Sequence, residues 1–215
     1  YVNWQAYVIG VHSGHVVETS LGYFINPLVT IVLAVFFLGE KLRPLQWTAL
    51  ALGTLAVVIL TIDYGRLPWI ALILAASFGI YGFTKNKMGG QISALNSFAF
   101  ESGLLLPLAA IQLWVLIGTG TQIQFGFAGA WPSLGLVMFG VLTAIPLILF
   151  GASAKRLPLS FIGFMQYLTP VIQFILGLTV FHEEMPLVRW IGFALVWGGL
   201  IVLTFDAVRN RSKKA

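Results

Sequence analysis

The sequence contains no cysteine, and that absence excludes disulfide bonds, thiolate metal sites and thiol-based catalysis. Charge is also scarce, because Asp, Glu, Lys and Arg together make up only 9% of the 215 residues. An average soluble domain is about 25% charged. A soluble domain could not cover its surface with so few charges, and a disordered chain would be far more polar. Both classes of protein are therefore excluded.

Motifs typical of enzymes and ATPases are missing as well. The sequence contains no P-loop, no His-Glu-x-x-His pattern and no Gly-x-Ser-x-Gly pattern. We therefore expect no enzymatic activity, no cofactor and no metal site. The 12 basic and 7 acidic residues give a net charge of +5. Because the basic residues do not form one patch, we expect no nucleic-acid partner.

Apolar residues are abundant, at 59% of the total, and they form long runs bounded by charges. A membrane helix needs about 20 such residues. The apolar runs cover residues 19–39, 44–62, 67–84, 102–154, 157–182 and 187–207. The stretch after Lys87 up to residue 154 is too long for one helix, and the polar, glycine-rich segment from Gly118 to Gly129 predicts a turn within it. We predict an all-α polytopic membrane bundle with seven complete helices and the end of an eighth at residues 1–14.

The basic residues predict how this bundle is oriented, since Lys and Arg in short loops are retained in the cytoplasm. When the predicted helices alternate in direction, 10 of the 12 basic residues fall on one side, and only Arg66 and Arg189 fall on the other. This split places the C-terminus in the cytoplasm. Lys85, Lys87 and Lys155 belong to the cytoplasmic set, and we interpret them as topology determinants.

Two segments of the sequence align without a gap when one is shifted by 143 residues. The matched pairs include Pro27 with Pro170, Glu40 with Glu183, Trp47 with Trp190, and Asp63 with Asp206. The loop at 39–44 is predicted to be cytoplasmic and its partner at 182–187 external, so the repeat is inverted. Inverted repeats are common in secondary transporters, where the substrate site lies between the two halves.

The repeat predicts the organisation of the chain. We assign residues 1–64 to the C-terminal part of a first, truncated repeat, 65–208 to a second repeat of five helices, and 209–215 to a basic cytoplasmic tail. Since a complete first unit would begin well before Tyr1, we expect ~75 further residues, with two more helices, ahead of it.

Polar residues mark one face of each of the two repeat-related helices that contain a proline. Ser20, Tyr23, Asn26 and Thr30 follow helical spacing, and Gly163, Gln166, Thr169 and Gln173 repeat it 143 residues later. We predict a cavity lined by Tyr23, Asn26, Gln166, Tyr167, Thr169 and Gln173. Pro27 and Pro170 would open the backbone there, because proline has no N–H group. The alternative is that these side chains hold the bundle together by interhelical hydrogen bonds.

Carboxylates and histidines supply further candidates. Glu101 lies inside a predicted membrane helix, which makes it a possible proton carrier, although it could instead lie near the cytoplasmic end. Glu18 follows His12 and His15 at a predicted external connection, for which a solvated loop is a simpler interpretation than pH sensing. Glu40, like its repeat partner, ends a predicted helix and is interpreted as an interfacial anchor or a helix-end contact.

Small residues four positions apart can pack membrane helices closely. Two such pairs occur, Ala49 with Gly53 and Ala194 with Gly198. They could pack helices within one chain or between two copies, so a homodimer is possible.

Two segments carry a resemblance to a known family. The segment from Gly14 to Leu28 reads GHVVETSLGYFINPL, and the segment from Phe164 to Pro170 reads FMQYLTP. Both resemble the EamA-type members of the drug/metabolite transporter superfamily, and in particular the RarD, or chloramphenicol-sensitivity, family. The resemblance implies ten helices in two inverted halves, an inner-membrane location and cytoplasmic termini, but it names no substrate. We therefore expect a secondary transporter that moves small metabolites or drug-like compounds across the lipid bilayer by alternating access. The alternative is a membrane sensor or scaffold that does not transport.

Overall fold

The computed structural model describes residues 1–119, 129–179 and 186–211, and in these ranges the chain is helical with no strand. It thereby confirms the all-α prediction. The nine α-helices of the described ranges are α1 (Val2–His12), α2 (Val16–Leu38), α3 (Pro44–Tyr64), α4 (Trp69–Met88), α5 (Ala94–Gly118), α6 (Ala130–Ala154), α7 (Leu159–Gln166), α8 (Leu168–Thr179) and α9 (Leu187–Arg211).

Five of these helices, α2, α3, α5, α6 and α9, are long and apolar enough to cross a membrane. The chain is thus a multi-pass membrane protein. Two of the seven predicted spans look different in the structure. The span predicted at 67–84 is α4, which continues to Met88 and so includes Lys85 and Lys87. The span predicted at 157–182 is divided into α7 and α8, which are separated by Tyr167.

Glycine and proline set the helix boundaries at the end of α2 and at both ends of α3. Gly39 follows α2 with φ of 68°, and Gly65 follows α3 with φ of 74°. Glycine adopts this left-handed conformation without the steric cost that a side chain would impose. Pro44 opens α3, where a missing N–H is harmless, and the backbone N–H of Arg43 donates to the Gln46 side chain at 2.8 Å.

The two repeat-related prolines have different effects on their helices. Pro27 lies inside α2, which runs on without a break. Pro170 lies in α8, and α7 ends at Gln166, four residues earlier. Gln166 carries the carbonyl that the missing N–H of Pro170 would have bonded in a continuous helix. A proline thus lies within a continuous helix at Pro27, whereas the helix is interrupted just before Pro170. Since both positions carry the same residue, the tertiary packing around them decides the outcome.

The chain divides into two compact units. One unit contains Tyr1–Thr84 and Leu157–Ala215, and the other contains Lys85–Arg156. The second unit consists of the end of α4 with α5 and α6. These units follow contacts, whereas the division into repeats at residues 64 and 65 follows sequence similarity and stays a prediction.

Within the first unit, α3 and α9 pack against each other in opposite directions. Arg43, just before α3, forms an ion pair with Asp206 near the end of α9. Gly192, near the start of α9, lies against Leu60 near the end of α3, where a Cβ atom would come within 3.1 Å of the leucine side chain. Gly199 lies close to the backbone of Ala49, in the second turn of α3 and midway along α9. Small residues thus let the two backbones approach closely.

Three of the four small residues predicted to pack helices contact other parts of this same chain. Ala49 is buried against α9, Gly53 lies beside the Tyr167 hydroxyl, and Gly198 contacts Leu52. Ala194 is exposed. Ala49 and Gly53 thus lie at close contacts within this chain, whereas Gly198 has an ordinary contact, and the possible homodimer stays a prediction.

Candidate functional site

The helices α2 and α7 bring two of the predicted polar faces together. Like α3 and α9, they are antiparallel: Glu40 after α2 reaches the start of α7, and Thr30 reaches its end. The Thr30 hydroxyl donates a hydrogen bond to Gln166 Oε1 at 3.2 Å. Gly163 makes this approach possible, because an added Cβ would come within 3.2 Å of the Pro27 carbonyl oxygen and still closer to Ile31.

Three buried polar atoms near this contact have no hydrogen-bond partner in the part of the chain that the structure describes. They are Asn26 Oδ1, Gln166 Nε2 and the Tyr167 hydroxyl. Leaving one such group unpaired costs about 1–3 kcal/mol. Three together therefore call for an explanation, and a bound polar ligand or ordered water would supply the missing partners.

A narrow crevice lies beside the Tyr167 hydroxyl. It is too narrow to admit a water molecule. Its lining is contributed by α3, α9 and the interruption between α7 and α8: Ala49, Gly53, Tyr167, Val196, Gly199 and Leu203. The crevice is almost entirely apolar apart from that hydroxyl.

The structure leaves some of the predicted cavity residues apart from this cluster. Tyr23 is half-buried on α2, while Thr169 is exposed on α8. The side chains of Pro170 and Gln173 lie outside the described part of the structure, and so does Glu183. Val32, on the opposite face of α2 by its spacing, is 43% exposed. The polar face of α2 therefore points inward, as the helical spacing predicts.

Glu40 links the end of α2 to the first turn of α7. Its carboxylate accepts hydrogen bonds from the backbone N–H of Leu159 at 2.6 Å, the N–H of Ser160 at 3.0 Å and the Ser160 hydroxyl at 2.5 Å. The first N–H groups of a helix have no partner within the helix, and a negative charge there is favourable. The interpretation of Glu40 as a helix-end contact is confirmed.

The structure corrects the prediction made for Glu18. Its carboxylate is buried and accepts hydrogen bonds from the Ile70 backbone N–H and the Tyr64 hydroxyl, both at 2.6 Å, with Arg66 at 3.6 Å. The prediction that His12, His15 and Glu18 form a solvated loop is therefore wrong at Glu18. Its carboxylate instead accepts from a backbone N–H in the first turn of α4, which has no partner within the helix. His12 is exposed, and Nδ1 of His15 is buried.

The second unit contains an ion pair between a buried lysine and a partly exposed glutamate, which sequence reasoning missed. Lys85, at the end of α4, donates to Glu101 Oε1 at 2.5 Å and to the Ser97 hydroxyl at 2.7 Å. Its side chain is 2% exposed, so Lys85 is held inside this unit by its partners, and its role as a topology determinant stays a prediction. One signal was available: Lys85 and Lys87 are two residues apart, so they point to opposite sides of a helix.

Comparison with known proteins agrees with this architecture. Residues 1–62 match the model of the EamA-like transporter family. The chain is 50% identical over 210 residues to Protein RarD of Streptomyces exfoliatus, covering 97% of this chain and 65% of the relative. It is 39% identical over 211 residues to Protein RarD of Escherichia coli, covering 98% and 70%. It is 38% identical over 215 residues to a Bacillus subtilis protein named uncharacterized transporter YojE, covering 100% and 70%.

The chain thus spans about two thirds of the length of these relatives. No solved structure matches it. The family match, the extent of the identity to the RarD proteins and the helical membrane architecture all agree. This chain belongs to the EamA-like transporter family, in its RarD group.

Proposed function

We propose that the protein is a secondary transporter of the bacterial inner membrane and that it moves small metabolites or drug-like compounds by alternating access. The observation that carries this proposal is the group of buried, unpartnered polar atoms on Asn26, Gln166 and Tyr167. Membrane proteins bury polar groups at a cost, so those without partners mark substrate paths. The family names transport as the general activity, and this cluster supplies a candidate place for it.

The antiparallel helix pairs support the alternating-access part of the proposal. In an inverted repeat, each element of one half runs in the opposite direction to its counterpart in the other half. The counterpart of α3 is α9, and the counterpart of α2 is the segment containing α7 and α8. Both pairs are in contact in this unit. A substrate site between them would open to either side of the membrane as the halves tilt.

We expect Asn26→Ala and Gln166→Ala each to weaken substrate binding by about tenfold, because a lost hydrogen bond to a buried group is worth about 1.4 kcal/mol. The measurement is uptake into vesicles reconstituted with the full-length protein. Chloramphenicol is the first compound to test, given the family resemblance, followed by a panel of labelled metabolites. The half-saturating concentration of each variant is then compared with that of the unmodified protein.

Val32→Ala is the matched control, since Val32 is exposed on the other face of the same helix. It should transport like the unmodified protein. If both polar variants behave like this control at equal expression, the polar cluster only holds the helices together. If no compound enters the vesicles above the background of protein-free vesicles, the alternative of a sensor or scaffold is favoured.

The proposed orientation is tested separately. Single cysteines at Lys41, Asn86, Lys155 and Ser212 should be shielded from an impermeant thiol reagent added outside cells, while cysteines at Gly65 and Phe125 should react. The reason is the 10 to 2 distribution of basic residues. The absence of native cysteine makes the background clean. Labelling of position 212 from outside would overturn the orientation.

A further inference from the structure

We propose that the cluster of Asn26, Gln166 and Tyr167 recognises an uncharged ligand that presents a hydrogen-bond donor next to an acceptor, as an amide group does. Thr30 sets this selectivity, because it fixes the orientation of the Gln166 side chain. The inference rests on the proposed function, since it concerns the same cluster and names the chemical class of its ligand. It also assigns each polar atom of the cluster a role in distinguishing that class from ions.

Thr30 determines which end of the Gln166 amide is available to a ligand. The Thr30 side chain is completely buried, and its hydroxyl donates to Gln166 Oε1 at 3.2 Å. A glutamine side chain carries an acceptor oxygen and a donor NH₂ group, so a bond to the oxygen leaves the nitrogen for another partner. Gln166 Nε2 is buried and has no hydrogen-bond partner among the described residues. At this position the cluster therefore offers a ligand a donor.

Asn26 offers the opposite group. Its Oδ1 atom is buried and is likewise unpartnered within the ranges that the structure describes. Asn26 precedes Thr30 by four residues on α2, so the two lie on adjacent turns of one helix face, and Thr30 is the residue that bonds Gln166. An amide can match both groups, because its carbonyl accepts from Gln166 while its N–H donates to Asn26. The Tyr167 hydroxyl, next to Gln166, can donate or accept.

The surroundings of the cluster select against ions. Its polar side chains are uncharged, and Tyr167 belongs to a core that includes the buried side chains of Phe24, Ile31 and Phe164. An ion placed there would lose its hydration while the cluster supplies no opposite charge. A carboxylate also has no hydrogen to donate to an asparagine oxygen, and an ammonium has no lone pair to accept from a glutamine NH₂ group. Each ion therefore satisfies only half of the pattern.

The ligand needs room beside Gln166, and the interruption between α7 and α8 provides a way to make it. Gln166 is the last residue of α7, and α8 begins at Leu168. Pro170 has no N–H with which to tie α8 back to the end of α7. A tilt of α8 would therefore open space next to the cluster while α7 keeps Gln166 against Thr30.

The test measures binding of benzamide to the full-length protein in lipid nanodiscs, by ligand-observed NMR, with empty nanodiscs as the blank. A dissociation constant in the millimolar range is expected for so small a molecule. N,N-Dimethylbenzamide, which lacks the N–H, should bind about tenfold less tightly, as expected for the loss of one hydrogen bond. Benzoate and protonated benzylamine should show no saturable binding above the blank.

Two variants test the assigned roles by a change in selectivity. Asn26→Leu removes the acceptor at similar volume, so the preference for benzamide over its dimethyl analogue should fall by about tenfold. Thr30→Val keeps the shape of the side chain but releases the Gln166 oxygen, so benzamide should bind about threefold or more weakly. Thr54→Val is the matched control, because the exposed Thr54 hydroxyl donates to the Leu50 carbonyl of its own helix at 2.8 Å. It should bind benzamide like the unmodified protein.

The proposal is overturned if benzamide does not bind above the blank, if either ion binds as tightly as benzamide, or if Asn26→Leu keeps the preference for benzamide. Equal benzamide affinity of Thr30→Val and Thr54→Val would remove Thr30 from the recognition. Uptake of another compound into vesicles without benzamide binding would contradict this recognition and leave the transport proposal intact. The expected benzamide selectivity without uptake of any compound would support the recognition and contradict transport.

Discussion

Replacing Glu40 with alanine is expected to lower the free energy of unfolding by roughly 3 kcal/mol. The carboxylate satisfies three donors at the start of α7: two backbone N–H groups and the Ser160 hydroxyl. Leu159 is fully buried, so water cannot readily replace the lost acceptor at its N–H. The loss combines an unpaired buried N–H, worth about 1–3 kcal/mol, with a missing helix cap, worth about 0.5–2 kcal/mol. The measurement is reversible unfolding in mixed detergent micelles.

Two variants serve as references for this measurement. Lys41→Ala removes an exposed charge from the neighbouring residue and should change the stability by less than about 0.5 kcal/mol. Glu40→Gln keeps one acceptor oxygen but no charge, so its stability should lie between those of the alanine variant and the unmodified protein. A Glu40→Ala protein that is as stable as Lys41→Ala would mean that the carboxylate does not bind the start of α7.

The second large effect is expected at Gly163, where α7 touches the backbone of α2. A methyl group there would meet Ile31 Cγ1 at 2.6 Å, the Pro27 carbonyl oxygen at 3.2 Å and the Ile31 backbone nitrogen at 3.3 Å. A flexible side chain could move away from the new methyl group, but the backbone atoms of Pro27 and Ile31 cannot. We therefore expect Gly163→Ala to destabilise the protein by about 1–3 kcal/mol, the usual cost of overpacking, and to reduce transport, because α7 and α2 must separate.

Gly140→Ala provides the matched control, since an added Cβ on Gly140 of α6 has no protein atom within 4 Å. Alanine is the better helix former by up to about 1 kcal/mol, so this variant should be as stable as the unmodified protein or more so. The two substitutions are chemically identical and differ only in their surroundings. Equal stability of the two variants would contradict the close approach of α2 and α7.

Much of the fold could be predicted from the sequence because the membrane imposes simple requirements on it. A chain that is 59% apolar with few charges must form helices that satisfy their own backbone hydrogen bonds. The charges and the turn residues then mark the ends of those helices. The structure ends α5 at Gly118 and begins α6 at Ala130, and residues 120–128 of the predicted turn lie outside the described residues.

The candidate site could be predicted only in part. Helical periodicity correctly placed Asn26 and Thr30 on an inward face of α2 and Val32 on the outward one, because a helix has a fixed rotation per residue. The same periodicity failed to anticipate that Thr169 is exposed. It assumed one continuous helix, whereas the interruption at Tyr167 ends that regular rotation.

The sequence by itself therefore determined the class of protein, the positions of most helices, the family and the polar face of α2. These depend on composition and on local periodicity, which are properties of neighbouring residues. Only the tertiary structure decided which charged groups meet: Glu18 with the start of α4, Glu40 with the start of α7, and Lys85 with Glu101. These partners are 16 to 119 residues apart in sequence, and a pattern among neighbouring residues cannot predict contacts over such separations. The physical reason is that a buried charge takes its partner from whatever the fold brings near it, since it cannot remain unpaired in an apolar interior.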